Sequence, residues 1–358
     1  MQGKRDDTDY VEGCITVRSL LLDIFDVASR EGIVRQMRKP SLANFDALCT
    51  ALEKDPGYDL SKGNRRRMIA VLLDLYKEVG RSALQDDEAF WKQVELSARL
   101  DDAQLFFFRE CLRHVPAYLR GGPSSLEFDK TNIGIWDRFL GCPSFRSCRK
   151  LLLELMDVED SPSFHLLDLC HGPGWGLVEA VGACPAAHMT AVDFTDSFAR
   201  MARRRVYEAN AAISGAGLEG LNIRWIDSGQ WKGFGSPLPL EDSEFDAVLF
   251  CCADPYIPAQ IRKDVYREIS RVLSPGGRLG ILTRGYPDPA RRHVSSAGMR
   301  IASLVHDFSE SVCCGWAGFS DPGENAKIFH DLGYREGANV PGSTNFLEGS
   351  LWVLRKGA

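Results

Sequence analysis

Apolar residues recur at three- and four-residue spacing through the first third of the chain, in 19–37 (SLLLDIFDVASREGIVRQM), 65–80 (RRRMIAVLLDLYKEVG) and 87–115 (DEAFWKQVELSARLDDAQLFFFRECLRHV). That is the period of amphipathic helices. The second run closes on Gly80, a residue type that commonly ends helices. DPGYDLSKGN (55–64) reads as a turn-rich break, and Arg65-Arg66-Arg67 as a solvated helix face rather than a phosphate site. GGPSS (121–125) favours irregular chain and marks a boundary. The stretch 126–158 is mixed and aromatic, and helical from about Arg146.

From residue 164 the texture changes. FHLLDLC (164–170), HMTAVDF (188–194), NIRWI (222–226), FDAVLF (245–250) and GRLGILT (277–283) read as strands, with helical stretches near 174–183, 196–213 and 258–273. Strand and helix in alternation predict an α/β fold: a doubly wound, mostly parallel sheet with helices on both faces. LWVLRK (351–356) arrives after a long gap as a last, antiparallel strand at the sheet edge. The expected organisation is a helical domain over 1–125 and a Rossmann-like domain over 126–358, with an insertion at 284–325. That insertion is longer than a usual strand–helix connection. With the N-terminal helices it reads as a lid over a small, mostly apolar substrate, walled by Trp316 and Phe319.

Composition narrows the functions. The 358 residues are 44% hydrophobic and 26% charged, with 33 Gly and 17 Pro, which excludes collagen-like, coiled-coil and wholly disordered chains. A formal charge of −6 lacks the basic footprint of a nucleic-acid binder. The 11 cysteines include the adjacent pairs Cys251-Cys252 and Cys313-Cys314 and no CxxC, which reads as reduced thiols rather than a disulfide framework or zinc knuckle. The 7 histidines form no HxH or HxxxH, so no metal is expected. The start, MQGKRDDTDY, is too charged for a signal peptide. No window approaches the roughly 20 apolar residues of a membrane span. A soluble, cytoplasmic protein with a small-molecule partner, and no nucleic acid or membrane, is expected.

The sharpest constellation is LLDLCHGPGWG (166–176): a buried strand, a turn with Gly172 and Gly174, and a helix start. Glycines there let a ligand approach bare backbone, and the new helix directs its first amides at the turn. Asp193 ends the next strand, where a carboxylate faces the same crevice and suits a ribose diol.

At these residues the chain resembles the class I S-adenosylmethionine-dependent methyltransferases. Their first motif runs acid-x-Gly-x-Gly-x-Gly, and 168–174 read Asp-Leu-Cys-His-Gly-Pro-Gly, with Cys170 in place of the first glycine. IDSGQ (226–230), LPLEDSEFDAVLF (238–250), REISRVLSPGGRLGILT (267–283) and IFHDLGYRE (328–336) follow the family's order, so the resemblance covers roughly 155–358. It implies S-adenosyl-L-methionine as cofactor. Gly172 and Gly174 would then abut the methionyl part, with Asp168 and Cys170 beside them. Asp193, followed by Phe194, would take the ribose, and Asp227 with Ser228 the adenine. Cys251 would lie beside the methyl. The resemblance also implies methyl transfer, on oxygen or carbon, to a small apolar or aromatic metabolite of secondary metabolism. The helical region resembles the dimerisation regions of small-molecule O-methyltransferases, which implies a homodimer. Because Cys170 departs from the motif, a fold that binds the cofactor but steers a non-methylating rearrangement or cyclisation stays open as the alternative. A nicotinamide dehydrogenase is set aside: the sole Tyr-x-x-x-Lys, Tyr58 with Lys62, precedes the glycines.

Acceptors other than thiolates and amines need a base. The candidates are His293, Asp254 and Tyr256, followed by Tyr286, Asp288 and His306.

Overall fold

The structure, a computed structural model, describes residues 7–39, 44–79, 88–89, 91–92, 100–214, 221–286, 297–340 and 350–357. In chain order the first helices are α1 (Asp7–Arg30), α2 (Ile33–Met37), α3 (Phe45–Lys54), α4 (Arg65–Val79) and α5 (Asp102–Leu119). Then come α6 (Ile133–Leu140), α7 (Pro143–Leu155), β1 (His165–Leu169), α8 (Trp175–Ala183), β2 (His188–Val192), α9 (Ala199–Ser214) and β3 (Ile223–Ile226). The last are β4 (Phe245–Cys251), α10 (Arg262–Val272), β5 (Leu273–Thr283), α11 (Ala297–Glu310), α12 (Pro322–Asp331), β6 (Tyr334–Val340) and β7 (Ser350–Lys356). The chain divides into two compact units, Met1–Glu127 with Tyr286–Gly318, and Phe128–Gly285 with Phe319–Ala358.

In the helical unit, Gly32 at φ 77° separates α1 from α2 within one apolar run. The Asn44 side chain caps α3 by accepting the Asp46 amide at 2.8 Å, a short helix that the periodicity did not single out. The run expected over 87–115 restarts at Asp102, because Asp101 and Gln104 form a reciprocal capping box. The core of the insertion packs here rather than with the second domain: apart from the half-exposed Arg300, the described side chains of α11 are buried, and the helix lies against α4 and α5. It brings a fully buried Asp307, which Arg67 grips with both guanidinium nitrogens and to which Tyr286 Oη (2.6 Å) and Trp316 Nε1 (3.0 Å) donate. Arg65 turns inward as well, donating to the carbonyls of Tyr118 (2.6 Å) and Gly122 (2.7 Å). The expectation of a solvated arginine face therefore holds for Arg66 alone. Helical spacing aims three consecutive side chains in three directions.

The second unit is a seven-stranded sheet of order β3-β2-β1-β4-β5-β7-β6. β1 to β5 are parallel, and β7 runs antiparallel to both β5 and β6. The last strand is thus antiparallel as expected but internal; the edge belongs to β6. Between Leu273 and Arg278 the Pro-Gly-Gly segment bulges out of the β4–β5 ladder. One sheet face packs α10 and α12 over a core including Leu167, Val248, Phe250, Tyr266, Ile269 and Phe329. On the other, α7 closes on β5 because residue 280 is glycine: a Cβ there would meet Met156 Sδ at 2.1 Å. Among the described residues no helix is long and apolar enough to cross a membrane.

Candidate functional site

β1 and β4 are neighbours, and from them the chain winds outward in opposite directions, so their carboxyl ends bound a crevice at the sheet's switch point. Both strands run into a cysteine with left-handed backbone, Cys170 and Cys252, each at φ 61°. An L-residue there costs about 1–2 kcal/mol, and such strain gathers at functional sites.

The turn between them is held in place by its surroundings. Cys170 N donates to Val192 O (2.8 Å), Gly172 N to Asp193 Oδ2 (2.8 Å) and Gly174 N to His171 O (2.9 Å). The Gly172 carbonyl lies 2.8 Å from His171 Nδ1. Gly172 and Gly174 have φ of 50° and 88°, and a Cβ on Gly174 would fall 2.9 Å from Ala202 Cα in α9. Glycine is required there by conformation and by space.

Asp193 is buried, and its second oxygen accepts the Thr195 amide at 2.9 Å. Burial pushes its carboxyl up, against the pull of His171 and the backbone amides. Asp168 is buried at the end of β1, with its carboxyl pushed up to about 7, chiefly by burial and against the Arg149 guanidinium. Asp168 Oδ2 has no hydrogen-bond partner, and a Cβ on Gly176 would lie 2.5 Å from it. Arg149, on α7, is a site residue that the sequence reading missed. It is 3% exposed, donates Nη1 to Leu140 O (2.7 Å) and Nη2 to Cys252 Sγ (3.9 Å), and leaves Nε without a partner. One of three basic residues on an amphipathic helix, beside Arg146 and Lys150, it gave no sequence signal; its near-complete burial is the signal.

On the far side of the turn, Asp227 is exposed and accepts the Gly229 amide (2.9 Å), while Ser228 binds Asp196 through N (3.1 Å) and Oγ (2.7 Å). Phe194 is half-buried, with ring centroids 5.9 Å from Trp231 and 6.0 Å from Phe234. Phe128 spans from Phe194 (6.2 Å) to Tyr256 (5.1 Å) and Trp136 (4.7 Å), making an aromatic wall beyond β4. Burial pushes the Cys170 and Cys251 thiols up, which favours their protonated form.

The base candidates separate. Asp254 is fully buried, accepting Tyr266 Oη and Ser320 Oγ at 2.5 Å each, with Arg262 Nε at 3.9 Å. It ties the chain after β4 to α10 and to the segment before α12. Each of its carboxylate oxygens is thus already engaged by a buried hydroxyl of the protein. Tyr256 lies in the aromatic wall. Tyr286 and His306 belong to the helical unit, where His306 Nε2 faces Glu310 Oε1 at 3.3 Å. His293 and Asp288 lie outside the described residues.

Residues 166–277, which carry the glycine turn, Asp193, Asp227 and Ser228, match the family described as methyltransferase domain. This stretch therefore carries a methyltransferase domain. Demethylmenaquinone methyltransferases of Listeria welshimeri and Listeria monocytogenes are 29% identical to it over 175 residues, 48% of this chain and 66% of theirs. The chain thus spans just under two thirds of these relatives' length. An O-methyltransferase family protein from Burkholderia thailandensis aligns over 99% of both chains at TM-score 0.50 and 14% identity. An O-methyltransferase family 2 protein from Planctomyces limnophilus, solved in complex with apigenin, aligns over 99% of this chain and 97% of its own at TM-score 0.52 and 11% identity. These two share this chain's fold, helical region included.

Proposed function

We propose that the protein transfers the methyl group of S-adenosylmethionine to oxygen or carbon of a small, mostly apolar or aromatic metabolite. The observation that carries this reading is the pair of opposite charges buried beside the glycine turn. Asp168 Oδ2 and Arg149 Nε are both buried and uncommitted, and a buried polar atom without a partner is rare in folded proteins. Together they supply the acceptor and donor that a zwitterionic α-amino acid group needs. Gly172 and Gly174 offer bare backbone to the chain linking that group to a nucleoside. Asp193 would take the ribose hydroxyls through its remaining lone pairs, Asp227 and Ser228 the adenine edge, and Phe194 the base's face.

When bound, the cofactor supplies an electrophilic methyl on a sulfonium. The chain's own part is to orient the acceptor and keep water from the crevice, the main contributions to an in-line displacement. The protonated Cys251 thiol and the wall of Phe128, Trp136 and Tyr256 give that space an apolar character. A flat ring compound suits such walls, and the relatives' name assigns them one, demethylmenaquinone. For an acceptor that needs a base, Tyr256 and His293 remain the candidates. Cytoplasmic location and a homodimer through the helical unit belong to the same proposal, the latter checked by sedimentation velocity.

The test is calorimetric titration with S-adenosylhomocysteine, then methyl-transfer assays over phenols, quinols and keto acids. The expected result is binding that weakens about 10–100-fold in Arg149→Met, the loss of one charge-assisted contact, while adenosine affinity is unchanged. An intact protein that binds no S-adenosylhomocysteine overturns the proposal.

A further inference from the structure

The glycine turn is also gripped from behind, by two residues outside its own motif, Arg205 and Asp137, acting with Trp175. Arg205, on α9, donates Nη1 to the Pro173 carbonyl (2.5 Å) and Nη2 to Asp137 Oδ2 (2.8 Å). Asp137, on α6, accepts Trp175 Nε1 on its other oxygen (3.0 Å). The Arg205 guanidinium carbon stands 4.0 Å from the centre of the Trp175 ring, and that of Arg146 stands 4.8 Å from it. Space has been made for the indole: a Cβ on Gly141 would meet it at 2.4 Å. The Arg205 and Asp137 side chains are 17% and 23% exposed, so solvent screens their pairing only in part.

We infer that Trp175, Arg205 and Asp137 form a clamp that fixes the conformation of the glycine turn, making them positioning residues for the cofactor. This rests on the reading of the site given above. With the clamp, the polar backbone groups from Gly172 N to Gly174 N are all engaged: Gly172 N by Asp193, Gly172 O by His171, Pro173 O by Arg205 and Gly174 N by His171 O. Arg205 anchors the Pro173–Gly174 peptide from outside the turn. Two residues of that turn are glycines, which have the widest choice of backbone conformations. Freed of Arg205, the turn spreads over several of them, and apparent affinity falls in proportion to the fraction still competent to bind.

The experiment titrates S-adenosylhomocysteine, well below the unfolding temperature, into the full chain and its Arg205→Met, Asp137→Asn, Arg205→Met/Asp137→Asn and Arg205→Lys variants. Amide hydrogen exchange at Gly174 and Trp175 is followed in the ligand-free proteins. Each single variant is expected to weaken binding about tenfold and to speed exchange of the Gly174 amide, with the far-UV spectrum retained. The double variant is expected to be no worse than the worse single one, since the groups act as one unit, and Arg205→Lys to recover part of the loss. A merely structural role would lower the unfolding temperature and leave affinity in the folded protein within twofold of wild type; that result, or unchanged Gly174 exchange, overturns the clamp. If Arg205→Met fails to fold, Trp175→Phe, which keeps the ring and removes the Asp137 bond, is judged by the same two readouts. Wild-type protein that binds no S-adenosylhomocysteine sinks the reading of the site instead, and the exchange rates then decide the clamp alone.

Discussion

Replacing Asp254 with alanine removes the acceptor of two buried hydroxyls, Tyr266 Oη and Ser320 Oγ, and the anion nearest a buried Arg262. An orphaned buried donor costs about 1–3 kcal/mol, and removing one partner of a buried ion pair about 3–5 kcal/mol. These losses share one carboxylate and do not add, so about 4 kcal/mol is expected for Asp254→Ala and about 2 kcal/mol for Asp254→Asn, which keeps one carbonyl oxygen. In a domain of this size 1 kcal/mol moves the melting temperature by about 2–4 °C, so the alanine variant should melt about 8–16 °C early. The assay is thermal unfolding by circular dichroism, with S-adenosylhomocysteine titration and methyl transfer measured at 15 °C on the folded fraction. Affinity and turnover per folded molecule should stay within a few-fold of wild type. An Asp254→Asn protein with unchanged melting temperature and turnover down a hundredfold or more would refute this reasoning and restore Asp254 as a base.

Three further outcomes follow from the same structure. The Asp168 carboxyl is pushed up to about 7 by burial, whereas the unfolded chain ionises it near about 3.9, so the folded state binds more protons and stability falls as pH rises from about 4 to about 7. Urea unfolding of wild type and Asp168→Asn across that range should show a steeper fall in wild type, the remainder coming from other buried carboxyls such as Asp193; equal slopes would count against it. Cys170→Gly relieves about 1–2 kcal/mol of left-handed strain against about 0.5–1 kcal/mol of added glycine entropy. Melting should therefore change little and S-adenosylhomocysteine bind at least as tightly, and a tenfold weaker complex would contradict it. In the helical unit, Arg67→Ala strands the buried Asp307 and should cost about 3–5 kcal/mol, whereas the exposed Arg66→Ala should cost under about 1 kcal/mol; comparable melting of the two variants would refute that distinction.

The strands were legible because burial on both faces writes short apolar runs into the chain. The runs at 164–170, 188–194, 222–226 and 245–250 became β1 to β4 within a residue or two. The glycine turn was legible because left-handed backbone and close approach leave glycine little competition. Other features carry no local pattern. β7 settled inside the sheet and left the edge to β6, a pairing that depends on strands far apart in sequence. Asp254 reads as an acid after a strand; only Tyr266, Ser320 and Arg262 around it make it a structural tie.

The chain's own pattern therefore determined the alternating α/β layout, the glycine turn and the resemblance that goes with them, since each follows from the period and backbone preference of residues close in sequence. Tertiary structure decided what each charge does. Arg149, Arg205 and Asp137 came to lie around the glycine turn, and Arg65, Arg67 and Asp307 became internal ties, through packing against distant elements. The effect of a charge depends on its solvation and its partners, which sequence spacing does not record.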